Sequence, residues 1–220
     1  MLERHGFRKT DATRLRDFLS LFLRARDEGR VLMSLGEIYH LHRLVSATSP
    51  VPGETAEVGV FRGGSARIIA AAKGDRALYL FDTFSGMPRE DPAFDPLRGG
   101  GFAGTSLAAV ASYLRDFPSI VFRPGSFPES AREIPPGLRF SFVHFDADLY
   151  LSTRTGLEFF YPRMNPGGVI LAHDFGAPTC PGVSKAWEEF FTDKEETTIV
   201  LPPRQAYIIK RQKSEGRSEK

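Results

Sequence analysis

Apolar residues recur along this chain in two rhythms. Over residues 11–47, Leu15, Phe18, Leu19, Phe22 and Leu23 fall at helical spacing, with Thr10 or Asp11 placed to cap the start. Gly29 breaks the run, and a second helix carries Ile38, Leu41, Leu44 and Val45 on one stripe. Pro50-Val51-Pro52-Gly53 ends the helical region. Beyond it, short apolar runs that read as strands (55–60, 77–81, 120–123, 140–145 and 169–172) alternate with helical patterns at 66–72, 107–114, 152–161 and 183–191. Asn165-Pro166-Gly167-Gly168 reads as a turn, and 197–201 with 206–210 as an antiparallel hairpin around Pro202-Pro203. This alternation predicts an α/β fold, a doubly wound, mostly parallel seven-stranded sheet with N-terminal helices and a C-terminal antiparallel hairpin. The expected organisation is a helical cap or lid over 1–52, a ligand-binding sheet domain over 53–210 and a polar tail over 211–220. The Gly/Pro-rich excursion at 85–105 is too long for a passive connection and predicts a mobile, substrate-facing loop.

Composition narrows the classes. Among 220 residues, 29 Lys and Arg against 27 Asp and Glu leave a net charge of +2, which argues against a basic face for nucleic acid. The single cysteine, Cys180, excludes an intramolecular disulfide and a Cys-only zinc cluster, and its Pro-Gly neighbours suggest no activating partner. No run approaches the ~18 apolar residues of a membrane span, and the N-terminus lacks the apolar core of a secretory signal. The expectation is a cytoplasmic chain with no membrane partner, and with a homodimer contact through the N-terminal helices as one use for them.

The chemistry gathers where strands end. In doubly wound sheets, ligands bind at the carboxyl ends of the strands near the switch in strand order. Here those ends carry Gly59 to Ser65, Asp82, Asp146 to Asp148, and His173-Asp174. The pattern Glu57-x-Gly59-x-x-x-Gly63-Gly64-Ser65 lets backbone pass under a ligand and then opens a helix, whose free N–H groups suit a carboxylate. Asp82 follows Gly59 by 23 residues at the tip of the second strand, where an acid accepts hydrogen bonds from ribose hydroxyls. A nucleoside-bearing cofactor is therefore expected. G-x-x-x-G-G is not the G-x-G-x-x-G that brings backbone to a pyrophosphate, which favours S-adenosyl-L-methionine over NAD.

These residues also carry a resemblance. Glu57-Val58-Gly59-Val60-Phe61-Arg62-Gly63-Gly64, Phe81-Asp82-Thr83-Phe84-x-Gly86-Met87-Pro88, Asp146-Ala147-Asp148-Leu149-Tyr150-x-Ser152-Thr153 and Tyr161-Pro162-x-x-x-Pro166-Gly167-Gly168, with Met33-Ser34-Leu35 upstream, resemble the macrocin O-methyltransferase (TylF-like) family over roughly residues 30–195. The resemblance implies a class I methyltransferase fold and methyl transfer from S-adenosylmethionine to a hydroxyl of a sugar or natural-product-like small molecule, with a divalent metal assisting. It places the cofactor against Glu57, Gly59, Phe61, Gly63, Gly64, Ser65, Asp82, Thr83 and Asp146, with Ser126 and Phe127 at the adenine. It makes Asp146, Asp148, His173 and Asp174 the candidate metal ligands, with Mg²⁺ the natural ion for oxygen donors.

One position departs from the family pattern, which has an acidic residue where this chain has His173. Imidazole is a poorer Mg²⁺ ligand than carboxylate, though acceptable to Mn²⁺, Fe²⁺ or Zn²⁺. Asp146, Asp148 and His173 are the candidate catalytic residues, and His173 acting as general base without metal is the alternative. An NAD-dependent oxidoreductase and an inactive binding protein on the same fold are the competing classes. Thr105-Ser106 is a weaker loop candidate. His40 and His42 read as surface or packing residues, His144 as a core histidine, and Trp187 as packing or an aromatic wall beside a sugar site.

Overall fold

The computed structural model describes residues 9–87, 93–95 and 101–212, with side chains from residue 13 onward. The first two helices, α1 (Lys9–Asp27) and α2 (Leu35–Ala47), are separated at Gly29, whose φ of 63° is a left-handed value that glycine adopts without penalty. On α1 the buried stripe is Phe18, Phe22 and Ala25, with Phe18 against Tyr39 and His42 of α2, whereas Leu15 and Leu23 of the expected stripe are exposed. Thr10 and Asp11, the expected caps, lie inside α1 rather than ahead of it. Helix α2 starts at a reciprocal capping box: the Ser34 side chain accepts from the Glu37 N–H while the Glu37 carboxylate accepts from the Ser34 N–H. It buries Ile38, Leu41 and Val45 in the same apolar cluster as Leu78, Leu80 and Leu171 of the sheet.

The remaining elements follow in alternation: β1 (Glu54–Val58), α3 (Gly64–Ala72), β2 (Leu78–Asp82), α4 (Leu107–Leu114), β3 (Ile120–Pro124), β4 (Phe140–Phe145), α5 (Tyr150–Phe160), β5 (Met164–His173), α6 (Pro181–Phe191), β6 (Ile199–Leu201) and β7 (Gln205–Ile209). The sheet order is β3-β2-β1-β4-β5-β7-β6, parallel except for β7, which runs antiparallel to both β5 and β6. This is the expected doubly wound sheet with its C-terminal hairpin. Strand β4 is buried at every position, as a central parallel strand covered on both faces must be. The order reverses between β1 and β4, which places a crevice at their carboxyl ends.

Two local features depart from the pattern reading. Asn165 to Gly168 do not stand outside the strand: they lie within β5, whose pairing with β4 jumps from Phe140–Met164 to Phe142–Val169. The extra residues are absorbed as an irregularity, with Gly167 at φ 85°. Many of the 19 phenylalanines converge on one ring, Phe160, which packs against Phe81, Phe127, Phe140 and Phe145 with centroids 5.0–5.8 Å away. That cluster stiffens the floor of β1, β2 and β4 directly below their tips. Among the described residues no helix is long and apolar enough to cross a membrane.

Candidate functional site

The tips of β1, β2, β4 and β5 surround one cavity of ≈ 280 Å³. Its construction begins at the turn after β1. Gly59 (φ 87°) packs so closely on β4 that a Cβ there would collide with the Asp146 carbonyl, so only glycine lets the two strand ends lie side by side. Phe61 (φ 50°) and Gly63 (φ 82°) continue the turn into α3, and no side chain caps this helix start. Its first N–H groups are thus available to a ligand.

Asp82, at the tip of β2, is tied to that turn. Its Oδ2 accepts from the N–H groups of Val60 (2.6 Å) and Phe61 (3.0 Å), and its Oδ1 accepts from Phe84 N–H (2.6 Å). Roughly four lone-pair positions exist on a carboxylate, so about one remains for a hydroxyl. Thr83 is occupied in its own turn, donating to the Gly86 carbonyl and accepting from Ser85 N–H. A roof lies over this corner: Thr105 Oγ1 donates to the Phe61 carbonyl, Arg62 to the carbonyls of Gly29 and Gly104, and the Phe61 and Phe102 rings meet edge to face. Of the 85–105 excursion, residues 88–92 and 96–100 lie outside the described ones.

The cavity wall includes Gly59, Phe61, Ser65, Asp82 and Thr83, then Ser126 and Phe127 after β3, and Asp146, Asp148, His173 and Asp174 at β4 and β5. Three expected cofactor residues do not line it: Glu57, Gly63 and Gly64. Gly64 instead packs under the Arg30 carbonyl, and Gly63 forms the cap of α3. Glu57 is fully buried below the turn, with Oε1 2.9 Å from His144 Nδ1 and Ser65 near its carboxyl. Burial pushes its carboxyl pKa up, against the opposing pull of His144. His144 is the expected core histidine, although its Nε2 is unpartnered.

At the other end of the cavity stands a cluster built around His173. Its Nδ1 lies 2.9 Å from Asp146 Oδ1 and 2.8 Å from Asp174 Oδ2, and its Nε2 lies 3.2 Å from Glu37 Oε1. Burial alone would lower the imidazole pKa, but the charge of Asp146 and hydrogen bonds to Asp146, Asp174 and Glu37 outweigh it and push it up to about 12. A raised pKa favours the charged imidazolium, a form with no free lone pair. Glu37 is held down at about 2 by its hydrogen bonds to His173 and Ser34, despite a burial cost acting the other way. Arg204, at the start of β7, places Nε 3.4 Å from Glu37 and Nη1 3.6 Å from Asp174.

Asp148 and Asp174 sit in left-handed conformations, φ 60° and 59°, that turn the chain sharply at the ends of β4 and β5. Such values are uncommon for residues other than glycine and gather at functional sites. The two carboxyls share a hydrogen bond. Burial and the neighbouring Asp146 charge push Asp148 well up, while Asp174 is held down by His173 against its own burial. Of the two, Asp148 is therefore the one whose protonated form is favoured. Cys180 also reaches this cavity, its Sγ 3.8 Å from Asp148 Oδ1, a neighbour that does not activate it. Burial pushes the thiol up to about 12, so it stays protonated.

The donor set fits a divalent cation. Asp146, His173 and Asp174 each offer one ligand atom within 4.8 Å of the others. The separations of 2.8 and 2.9 Å from Nδ1 approach the roughly 3 Å edge of an octahedron with ~2.1 Å bonds. The uncapped α3 start, the free acceptor position on Asp82 and the Phe127 wall likewise suit a nucleoside bearing an amino-acid carboxylate. Sequence reading missed Glu37 and Arg204. The Ser34-x-x-Glu37 capping box was a visible signal for the first as a helix start, though not for its contact with His173. Nothing local marked Arg204.

Residues 35–201 match the family described as macrocin-O-methyltransferase (TylF). Over 146 residues the chain is 33% identical to the 8-demethyl-8-(2,3-dimethoxy-alpha-L-rhamnosyl)-tetracenomycin-C 4'-O-methyltransferase of Streptomyces olivaceus, covering 59% of this chain and 56% of that protein. Over 148 residues it is 31% identical to the mycinamicin III 3''-O-methyltransferase of Micromonospora griseorubida, covering 59% and 58%. The chain thus spans little more than half the length of these relatives. The fold is shared with the O-methyltransferase NovP (TM-score 0.71, 23% identity, 83% of each chain) and with the calicheamicin methyltransferase CalS11 (TM-score 0.71, 20% identity, 92% of this chain and 93% of that one). The chain belongs to the macrocin O-methyltransferase (TylF) family.

Proposed function

We propose that this chain is an S-adenosylmethionine-dependent O-methyltransferase that methylates a hydroxyl on the sugar of a small natural product, with a divalent cation assisting. The observation that carries the reading is the single cavity that holds the β1 turn and Asp82 at one end and the Asp146–His173–Asp174 cluster at the other. Family membership supports it, and so does the naming of one relative for a rhamnosyl-bearing substrate.

When bound, S-adenosylmethionine supplies an activated methyl group, and the cation supplies Lewis acidity toward the acceptor oxygen. Residues of the chain do the rest. Asp82 accepts a ribose hydroxyl on its remaining lone pair, the start of α3 takes the methionine carboxylate, and Ser126 with Phe127 borders the adenine. These residues would hold S-adenosylmethionine so that its methyl carbon could approach the acceptor oxygen to the ~3–3.5 Å that in-line displacement requires. Asp146 is the group placed to take the hydroxyl proton: it lines the cavity and meets His173 through Oδ1, whereas burial and the Asp146 charge push the Asp148 carboxyl well up. The roof formed by Phe102 and Thr105 keeps water from the donor side. Within this reading, residues 53–210 form the cofactor-binding unit and 1–52 close one side of it.

Calorimetric titration with S-adenosylhomocysteine and NAD, followed by a methyl-transfer assay on rhamnosylated acceptors, tests the reading. Binding of S-adenosylhomocysteine and a mass gain of one methyl group on the sugar are expected. Binding of NAD without S-adenosylhomocysteine overturns it.

A further inference from the structure

The acidic cluster differs from an all-oxygen cation site at one atom, His173 Nδ1, and the surroundings of that ring are built to aim it. Its Nδ1 faces Asp146 Oδ1 and Asp174 Oδ2 at 2.9 and 2.8 Å. Its other nitrogen, Nε2, is met from the opposite side by Glu37 Oε1 at 3.2 Å. Metal-ligating histidines characteristically give their second N–H to a carboxylate, which fixes the tautomer, orients the ring and raises its basicity. Glu37 meets the requirements of such a partner. It has no solvent exposure and is locked by the reciprocal capping bond to Ser34 N–H at 2.7 Å, while its own carbonyl accepts from Gln205 Nε2. The capping box uses only Glu37 Oε2, which leaves Oε1 to reach across to the ring on β5. The ring is also held from moving away, because β5 pairs with β7 up to the His173–Gln205 register.

Ion preference follows from the donor atoms. Mg²⁺ takes oxygen ligands and disfavours imidazole, whereas first-row transition ions accept nitrogen and carboxylate together. We infer that His173 Nδ1, with Asp146 and Asp174, forms a facial nitrogen-and-oxygen ligand set, oriented by Glu37, that binds a first-row transition cation of the Mn²⁺ type in preference to Mg²⁺. The inference rests on the cation-assisted part of the function proposed above and replaces the Mg²⁺ expected from oxygen donors alone. Glu37 acts here as a positioning residue, since it touches the ring and not the ion.

The test uses the full chain, stripped with chelator and titrated calorimetrically with Mn²⁺ and separately with Mg²⁺. Electron spin-echo spectra of the Mn²⁺-loaded protein are recorded alongside. Mn²⁺ is expected to bind at least about tenfold more tightly than Mg²⁺, with nitrogen modulation from a directly bound imidazole. His173→Asp should abolish the modulation and shift preference toward Mg²⁺. Glu37→Gln should keep the modulation while weakening Mn²⁺ binding by about 10–100-fold. Mn²⁺ binding without nitrogen modulation, equal affinity for the two ions, or no cation binding by the wild-type chain each overturns the inference. Because these readouts are independent of S-adenosylhomocysteine binding, that titration separates failure here from failure of the methyltransferase reading.

Discussion

Replacing Asp82 by Asn separates two duties of one carboxylate. In the protein Asp82 Oδ2 accepts from Val60 and Phe61 N–H and Oδ1 from Phe84 N–H, so both oxygens hold backbone before any ligand arrives. Asparagine has the same shape but one acceptor oxygen. In the better of its two orientations the amide nitrogen faces Phe84 N–H, which sets donor against donor and removes one charge-assisted bond. The reverse orientation loses two. A hydrogen bond to a charged group contributes about 1.5–3 kcal/mol, and the two surviving bonds weaken when the charge is gone. Asp82 is half-buried, so a total near 2–3 kcal/mol is a fair magnitude. For a chain of this size that lowers the melting temperature by roughly 4–12 °C. Urea and thermal unfolding of the ligand-free chain measure this part. Calorimetric titration of the folded variant with S-adenosylhomocysteine measures the other, with an expected loss of about tenfold or more as the ribose acceptor weakens. An unchanged unfolding midpoint refutes the claim that Asp82 carries the β1 turn. Unchanged affinity in a properly folded variant refutes its assignment to the ribose.

Two further perturbations probe the core and the acidic cluster. A Cβ at Gly156 on α5 would fall into the ring of Phe145, so Gly156→Ala should destabilise by about 1–3 kcal/mol despite the ~1 kcal/mol that alanine normally contributes to a helix. A gain in urea midpoint for this variant would show that the Phe145 ring moves freely. Glu37 is fully buried with its pKa held from 4.5 to about 2, which corresponds to about 3 kcal/mol of stability. Because the folded value is the lower one, that contribution is complete above pH 4.5 and lost as pH falls toward 2. The stability difference between the chain and Glu37→Gln, measured free of cations by urea unfolding, should therefore shrink across this window. A difference independent of pH would disprove the Glu37–His173 ion pair. The larger upward shift of His173 has three carboxylates behind it, so the Glu37 value is the one that bounds this pair.

Periodicity made the framework legible because helices and buried strands impose their repeat on the residues themselves. The residues 140–145, read as one buried strand, are β4 without adjustment, and 107–114 are α4. The polar strand ends were legible for a related reason: Asp82, Asp146 and Asp174 stand where an apolar run stops, and the sheet topology brings such ends together. Contacts between distant segments left no repeat to read. Glu37 and His173 are 136 residues apart, and only the packing of α2 on the sheet brings them together. The left-handed backbone of Asp148 and Asp174 was equally hidden, since aspartate tolerates that conformation without announcing it. Asp82 shows a subtler limit. Its location at a strand tip was readable, but its three bonds to backbone depend on how the glycine turn folds back over it.

The charge balance of the cluster explains why His173 and Glu37 belong together. With Asp148 in its favoured protonated form, the groups Glu37, Asp146 and Asp174 bring three negative charges against the two positive charges of imidazolium His173 and Arg204. The buried cluster is left one charge negative. Exchanging the imidazole proton for a divalent cation adds one positive charge and closes the balance, whereas adding that cation beside a still-protonated His173 would place two positive centres in contact. A carboxylate at position 173 would need a cation merely to offset its own charge. Imidazole instead lets the same pocket stay folded with a proton or a cation in place, and it is Glu37, delivered from α2, that makes both states affordable by holding Nε2–H in each. Helix α2 is therefore part of the electrostatics of the site as well as a cover for the sheet.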